Sequence, residues 1–403
     1  MEGRMKPTAV LDIGSSKVVC LVGEITEHDG IIVHGVGVAS CESYLNGEFI
    51  DKQGLHDAII DVIQKAEQES RQRIQKIIVS VPNCFLKTEL SDITMSFNDQ
   101  TEVIESSDLE KLYDLSLDKC GTPEGMNAIN STPVFFIVDG ISSAESPIGI
   151  ETDEISALVS HVFVRQDFIA AIQDILDDVG IEIDACHSAM QGEAMLLIPE
   201  QERVRPAVLI DVGYRQTDIC VIENSAMTAI SSIPVGGYQF ASDLAFGLEV
   251  TQESAEQAKR RFSFSLDYGD KTEILRTATE SKRVANATIA YIIEARASEL
   301  ADLIREELER MSVNLDAKPV VYLTGGGLLM MRGSLDFMKK KLGISMKRDM
   351  PWTPRLSSPN YCSAFGMLYF ELRVIPHADE APAVPVTEKE ESFLTKLKNF
   401  FIK

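Results

Sequence analysis

Paired cysteines, a leading apolar segment, long hydrophobic runs and an excess of basic side chains are all missing from this 403-residue chain. Each absence removes a class of function. The seven cysteines are scattered and no two form a CxxC pair, so neither a disulfide framework nor a zinc site is indicated, and a reducing cytosol fits. The opening MEGRMKPTAV has no apolar h-region, and no run approaches the length of a membrane-spanning helix, so neither secretion nor integral membrane insertion is expected. Lys and Arg number 38 against 62 Asp and Glu, and a formal charge of -24 argues against a nucleic-acid backbone as principal partner. A GxxxxGK[ST] phosphate loop is absent as well. What is present is a globular composition, 45% hydrophobic and 25% charged, in a chain too long for one core.

The stretch VLDIGSSKVVCLVGEI, Val10 to Ile25, reads as two apolar strands joined by a polar turn. Gly14 lets backbone approach a ligand closely. Ser15 and Ser16 add hydroxyls, Lys17 a positive charge and Asp12 a carboxylate, a set that suits a phosphate with a metal. About two hundred residues later the skeleton recurs in AVLIDVGYRQTDICVIE, with Asp211, Val212 and Gly213 in the places of Asp12, Ile13 and Gly14. Two such hairpins predict two similar lobes facing each other across a cleft.

Between the hairpins the periodicity predicts a helix over Leu55 to Glu69, a buried strand over Lys76 to Pro82 closed by the proline, and a small α+β insertion from about Asn83 to His161. A helix over Gln166 to Val179 leads to CHSAMQGEAMLLIPE. After the second hairpin, Glu256 with Lys259 and Arg260 shares one helical face. In VVYLTGGGLLMMRGSLDFMKKKLG a strand meets Gly325, Gly326 and Gly327 and then a helix, so a flat group could lie against bare backbone near a helix N-terminus.

With these elements in this order, the chain resembles the actin/Hsp70/sugar-kinase superfamily, and within it the FtsA family of bacterial cell-division proteins. The insertion after SVP, the run IPVGGYQFASDLAFGL and the tail carry the narrower resemblance. It implies an α/β chain with an actin-like two-lobed ATPase fold: duplicated ribonuclease H-like lobes, an FtsA-type α+β insertion subdomain and a C-terminal amphipathic helix. The implied division is lobe 1 over 1–83 and 162–205, the insertion over 84–161, lobe 2 over 206–238, its outer subdomain over 239–311, and lobe 2 with a return to lobe 1 over 312–375. A linker at 376–390 and the amphipathic helix at 391–403 complete it.

The resemblance also implies roles. Asp12 and Asp211 would hold hydrated Mg2+; Gly14, Ser15, Ser16, Lys17 and Gly213 would take the phosphates of ATP. Gly236, Gly237, Glu256, Lys259, Arg260, Gly325, Gly326 and Gly327 would take the nucleoside. His187, Gln191 and Glu193 fall where relatives place a water-orienting residue, and all three are chemically able. The second turn departs from the family's glycine-rich pattern at Tyr214, Arg215 and Gln216: Tyr214 narrows the room for a phosphate, and Arg215 could offset that with charge. Turnover is therefore expected to be slow, with the nucleotide mainly structural or regulatory.

The tail begins as PHADEAPAVPVTEKE, too rich in proline and acid to form a core. It ends in ESFLTKLKNFFIK, where Phe393, Leu394, Leu397, Phe400 and Phe401 share an arc of ~120° at helical spacing, bordered by Lys396, Lys398 and Lys403. Such a face suits the interface of an anionic membrane. The resemblance then implies a peripheral protein on the cytoplasmic side of the cell membrane at the division site, self-associating into filaments and tethering the C-terminal tail of the tubulin-like division protein FtsZ. Other division proteins would be further partners, the FtsZ contact falling roughly within Gln239 to Met311. A small-molecule kinase of the same fold and a type IV pilus assembly protein of the FtsA-like kind are the alternatives, and neither calls for this tail.

Overall fold

The computed structural model describes residues 7–26, 30–97 and 101–375. The expected linker and amphipathic helix, with Phe393, Leu394, Lys396, Leu397, Lys398, Phe400 and Phe401, lie outside these residues.

Each hairpin heads a sheet built on the same scheme. In the first sheet the strands Thr8–Ile13, Lys17–Ile25 and Ile31–Ser40 form an antiparallel meander. Lys76–Val81 and then Glu182–Ser188 join in parallel on the far side of Thr8–Ile13. In the second sheet Ala207–Val212, Thr217–Glu223 and Ala226–Ile233 form the meander, and Val320–Thr324 joins in parallel beside Ala207–Val212. The central strands are buried on both faces, as parallel pairing with helices on either side requires, and they are accordingly runs of Val, Ile and Leu.

The helix Lys52–Ser70 covers one face of the first sheet through Leu55, Ala58, Ile59, Val62, Ile63 and Ala66, a stripe at helical spacing. Asp51 caps it, accepting from Gly54 N at 2.8 Å. The helix approaches the strand Ile31–Ser40 so closely that a Cβ on Gly37 would lie 1.9 Å from the carbonyl oxygen of Val62. On the other face Val10, Val19 and Leu21 pack against Phe365 and Leu368 of the helix Cys362–Arg373. Each such side chain contributes roughly 1.5–3 kcal/mol on full burial. The second sheet is covered by Ala189–Leu197 on one face. Its other face carries the helices Gly237–Leu248 and Asn286–Arg310, whose Phe240, Leu244, Ile289 and Ile293 share a core with Val208 and Ile210.

The inserted segment forms a sheet of its own, in the order Ile141–Ser143, Met126–Val138, Glu154–Arg165, Leu86–Ser96. The helix Ser106–Cys120 lays Leu109 and Leu112 on Ile155, Ala157 and Val159. The strand Glu154–Arg165 runs through residue 161 without a break. The insertion also touches lobe 2: Val134 and Leu158 pack on Ala226, and Ser160 Oγ donates to the Met227 carbonyl at 2.6 Å.

Candidate functional site

Both hairpins close in the same way. Gly14 N donates to the Lys17 carbonyl at 2.9 Å, and Gly213 N donates to the Gln216 carbonyl at 2.9 Å. The turns face one another, with Arg215 N donating to Ser15 Oγ at 3.3 Å. Beside them lies a cleft of about 730 Å³, within the range of small-molecule and cofactor sites. Asp12, Gly14, Ser15, Ser16 and Lys17 line it from lobe 1, and Asp211 and Gly213 from lobe 2.

Its electrostatics are dominated by carboxyl groups. Asp12 is buried, and its Oδ1 accepts from Ser80 Oγ at 2.7 Å and from Ser363 Oγ at 2.6 Å. Asp211 Oδ1 is sealed from solvent and, among the described residues, has no hydrogen-bond partner. Burial, together with Asp218 and Asp12, pushes the Asp211 carboxyl up to about 7 although Lys17 pulls the other way. Asp218 is pushed up to about 6 by burial, against the hydrogen bonds from Ser232 and Gln216. Glu193 is raised well above the usual carboxylate range by burial, then by Asp211, Asp12 and Asp218. Lys17 is lowered by burial, opposed by Asp12 and Asp211; its Nζ donates to the Asn360 carbonyl and lies 4.1 Å from the ring centre of Tyr361. An enclosed, unpartnered carboxylate oxygen beside three more carboxyls fits a bound cation. Among the described residues no group of three or more His, Cys, Asp or Glu side chains could hold a metal directly. Asp12 and Asp211 would be the residues to hold a hydrated Mg2+ there, because Mg2+ retains several waters.

The triple glycine is positioned differently from expectation. Gly325, Gly326 and Gly327 do line the cleft, but a turn over Gly326 to Met330 follows and the next helix begins only at Ser334. The helix N-terminus that abuts them is instead that of Gly237–Leu248, whose Gly237 N would lie 2.8 Å from a Cβ on Gly327. Their small size is required by packing on the second turn. Gly325 has φ +96°, and a Cβ there would lie 2.0 Å from Asp211 Oδ1; a Cβ on Gly327 would lie 2.0 Å from the Gly213 carbonyl oxygen.

Glu256, Lys259 and Arg260 line the cleft from the helix Gln252–Arg261, which Thr251 caps by accepting from Ser254 N at 3.2 Å. Lys259 Nζ lies 2.7 Å from Glu256 Oε2 and donates to the Gly237 carbonyl at 2.8 Å, so its charge bridges the helix to lobe 2. Arg260 Nε lies 2.9 Å from Glu256 Oε1. Gly236 and Gly237 are not among the residues that line the cleft. They stand behind the second turn, where Gly237 N donates to the Gly213 carbonyl at 2.9 Å.

Of the three candidates for orienting water, Glu193 lines the cleft and the other two do not. His187 Nε2 lies 3.2 Å from Glu371 Oε2. Gln191 donates to the Ser225 carbonyl at 3.0 Å and accepts from Asn130 at 3.2 Å. Arg215 also differs from expectation, since its guanidinium is turned onto Tyr238 and Glu42 rather than into the cleft, whereas Tyr214 does line it. Sequence reasoning missed Asp218, Glu42 and Asn360, all of which line the cleft. The register of the second hairpin offered a signal for the first, because Asp218 pairs directly across from Asp211. Nothing local marked Asn360, which reaches Lys17 from 343 residues away.

Comparison with known proteins places this geometry. The model of the family described as "Cell division protein FtsA" matches residues 208–366. The cell division protein FtsA of Pseudomonas aeruginosa is 23% identical over 373 residues, covering 90% of this chain and 88% of that protein. Its namesake from Bacillus subtilis is 24% identical over 372 residues, covering 90% and 83%. Among solved structures, a PilM-PilN type IV pilus biogenesis complex is similar with a TM-score of 0.63 at 16% identity, covering 92% of this chain and all (100%) of that one. MreB5 of Spiroplasma citri bound to ADP is similar with a TM-score of 0.55 at 13% identity, covering 92% and 97%. The two sheets of one scheme and the cleft between paired Asp-x-Gly turns form an actin-like fold, and over most of its length the chain is similar to the cell division protein FtsA.

Proposed function

We propose that the cleft binds ATP with Mg2+ and that the chain serves bacterial division as an actin-like, self-associating tether between the cytoplasmic membrane and FtsZ. The observation that carries the nucleotide reading is the unpartnered, enclosed Asp211 Oδ1 beside two facing turns. The likeness to MreB5 bound to ADP and to a MamK double helical filament supports nucleotide binding and self-association, and the name shared by the relatives supports the division role.

Bound there, Mg2+ would neutralise charge on the phosphates. Lys17 and the turn N–H groups would orient them, Asp12 being held in place by Ser80 and Ser363. Glu193, which lines the cleft where His187 and Gln191 do not, would be the group to orient a water near the terminal phosphate. Burial, then the neighbouring Asp211, Asp12 and Asp218, push its carboxyl well above the usual carboxylate range and so disfavour the charged form. A carboxyl that resists ionisation is seldom available to take a proton from water, so we expect slow turnover, with the nucleotide acting chiefly on lobe geometry.

Titration of labelled ATP with Mg2+ tests the site. Asp211→Ala should weaken binding by about one to two orders of magnitude through the lost charge-assisted contact. Equal affinity in a folded variant removes Asp211 from the site. Co-sedimentation with anionic vesicles tests the tether: Leu397→Glu should release the chain, since five large apolar side chains supply roughly 5 kcal/mol before ordering costs and each lysine adds ~1 kcal/mol. If a chain ending at Lys389 pellets as well as the wild type, the tether assignment is lost. The likeness to the PilM-PilN complex favours a second reading, a type IV pilus assembly ATP-binding protein of the FtsA-like kind, which predicts no response to Leu397→Glu.

A further inference from the structure

The second turn differs from the first in bulk and charge, and it does so where the lobes touch. Arg215 N donates to Ser15 Oγ at 3.3 Å, and Arg215 Nη2 donates to Glu42 Oε2 at 2.6 Å. The guanidinium carbon lies 3.8 Å from the ring centre of Tyr238, in the first turn of the helix Gly237–Leu248. Glu42 is anchored to the first turn, because its neighbour Cys41 donates from N to the Ser16 carbonyl at 3.1 Å. Arg215 is largely enclosed, with 14% side-chain exposure against 53% for Glu42. One residue of lobe 2 thus clasps both the turn and the adjoining segment of lobe 1.

We propose that Arg215 and Glu42 form a gate that sorts nucleotides by phosphate number: a nucleoside diphosphate is held with the clasp closed, and a triphosphate requires it to open. This rests on reading the cleft as a nucleotide site. A phosphate that bridges two turns is held by their backbone N–H groups, and the Arg215 N–H is already given to Ser15. Glu42 lines the same cleft, so a terminal phosphate brings like charge against its carboxylate. Opening relieves both conflicts and releases a guanidinium whose planar fork matches phosphate oxygens. Arg215 therefore determines specificity by exchanging one anionic partner for another. The half-exposed carboxylate keeps the effect modest and sensitive to salt.

The test is isothermal titration of the full chain with ADP and with ATP, each with Mg2+, for wild type, Glu42→Gln, Glu42→Ala and Arg215→Gln. Both Glu42 variants should shift the ratio of the two dissociation constants toward ATP by about threefold to tenfold. Arg215→Gln should show no such gain, because it removes the clasp and the phosphate's new partner together. If both nucleotides bind and the ratio is unchanged in the Glu42 variants, the gate is overturned and the nucleotide site stands. If neither nucleotide binds to any of the four chains, the site reading falls and the gate falls with it.

Discussion

The two turns are the same backbone device with opposite side chains. Gly14 and Gly213 close them with bonds of equal length, 2.9 Å, and a Cβ on either glycine would lie 3.1 Å from the carbonyl of the residue three positions on. Lobe 1 then presents Ser15, Ser16 and Lys17, small donors and a cation that line the cleft. Lobe 2 presents Tyr214 and Gln216 to the cleft, with Arg215 turned aside onto Glu42. The carboxylates diverge too: Asp12 Oδ1 has two serine donors, whereas Asp211 Oδ1 has no partner. Lobe 1 is therefore preorganised without a ligand, and lobe 2 holds the unmet demand that a bound cation would satisfy. A duplicated frame thus leaves the two halves free to divide the labour of binding.

The largest test of this asymmetry is steric. Gly325→Ala drives a Cβ toward Asp211 Oδ1 at a φ of +96°, and should cost several kcal/mol, about 3 or more, in thermal or denaturant unfolding. Gly14→Ala meets only one carbonyl at 3.1 Å without a positive φ, and should cost about 1 kcal/mol or less. Equal losses would mean that the second turn is no more tightly built than the first.

A smaller test is electrostatic. Asp211 rises from its ordinary value of 3.8 to about 7, so the folded chain binds this proton more tightly than the unfolded chain does. Its contribution is fully present below about pH 4 and is lost as pH rises through about 7. Asp211→Asn should flatten that fall in melting temperature. Added Mg2+ should stabilise the wild type more at pH 8 than at pH 5, and this difference should vanish in the variant. A wild-type profile that is level between these limits would show that Asp211 carries no such burden.

The elements were legible where one period dominates. The stripe from Leu55 to Ala66 predicts a helix, and the structure forms it over Lys52–Ser70. The duplicated Asp-x-Gly pattern predicts two facing lobes, and two sheets of one scheme carry it. The site was legible only in part. Glycines at 325 to 327 announced a close approach without saying to what; the neighbours turned out to be Asp211, Asn360 and Gly213. By sequence Lys17 and Arg215 are charges free to meet phosphate, because a sequence shows charge and not partners. Their partners, Asn360 and Glu42, stand 343 and 173 residues away.

By itself the sequence determined the hairpins, the helical stripes, the repeat that pairs Asp12 with Asp211, and the amphipathic pattern of Phe393 to Phe401. These depend on periods of two and of about three and a half residues and on turn chemistry, all local to the chain. Tertiary structure alone decided which of His187, Gln191 and Glu193 reaches the cleft, that Gly236 and Gly237 stand behind it, and that Arg215 faces Glu42. It also decided that, among the described residues, Asp211 Oδ1 has no hydrogen-bond partner while Asp12 Oδ1 has two. The reason is physical: burial and hydrogen-bond satisfaction depend on which distant segments the closing of two lobes brings within about 3 Å. No local pattern encodes that meeting.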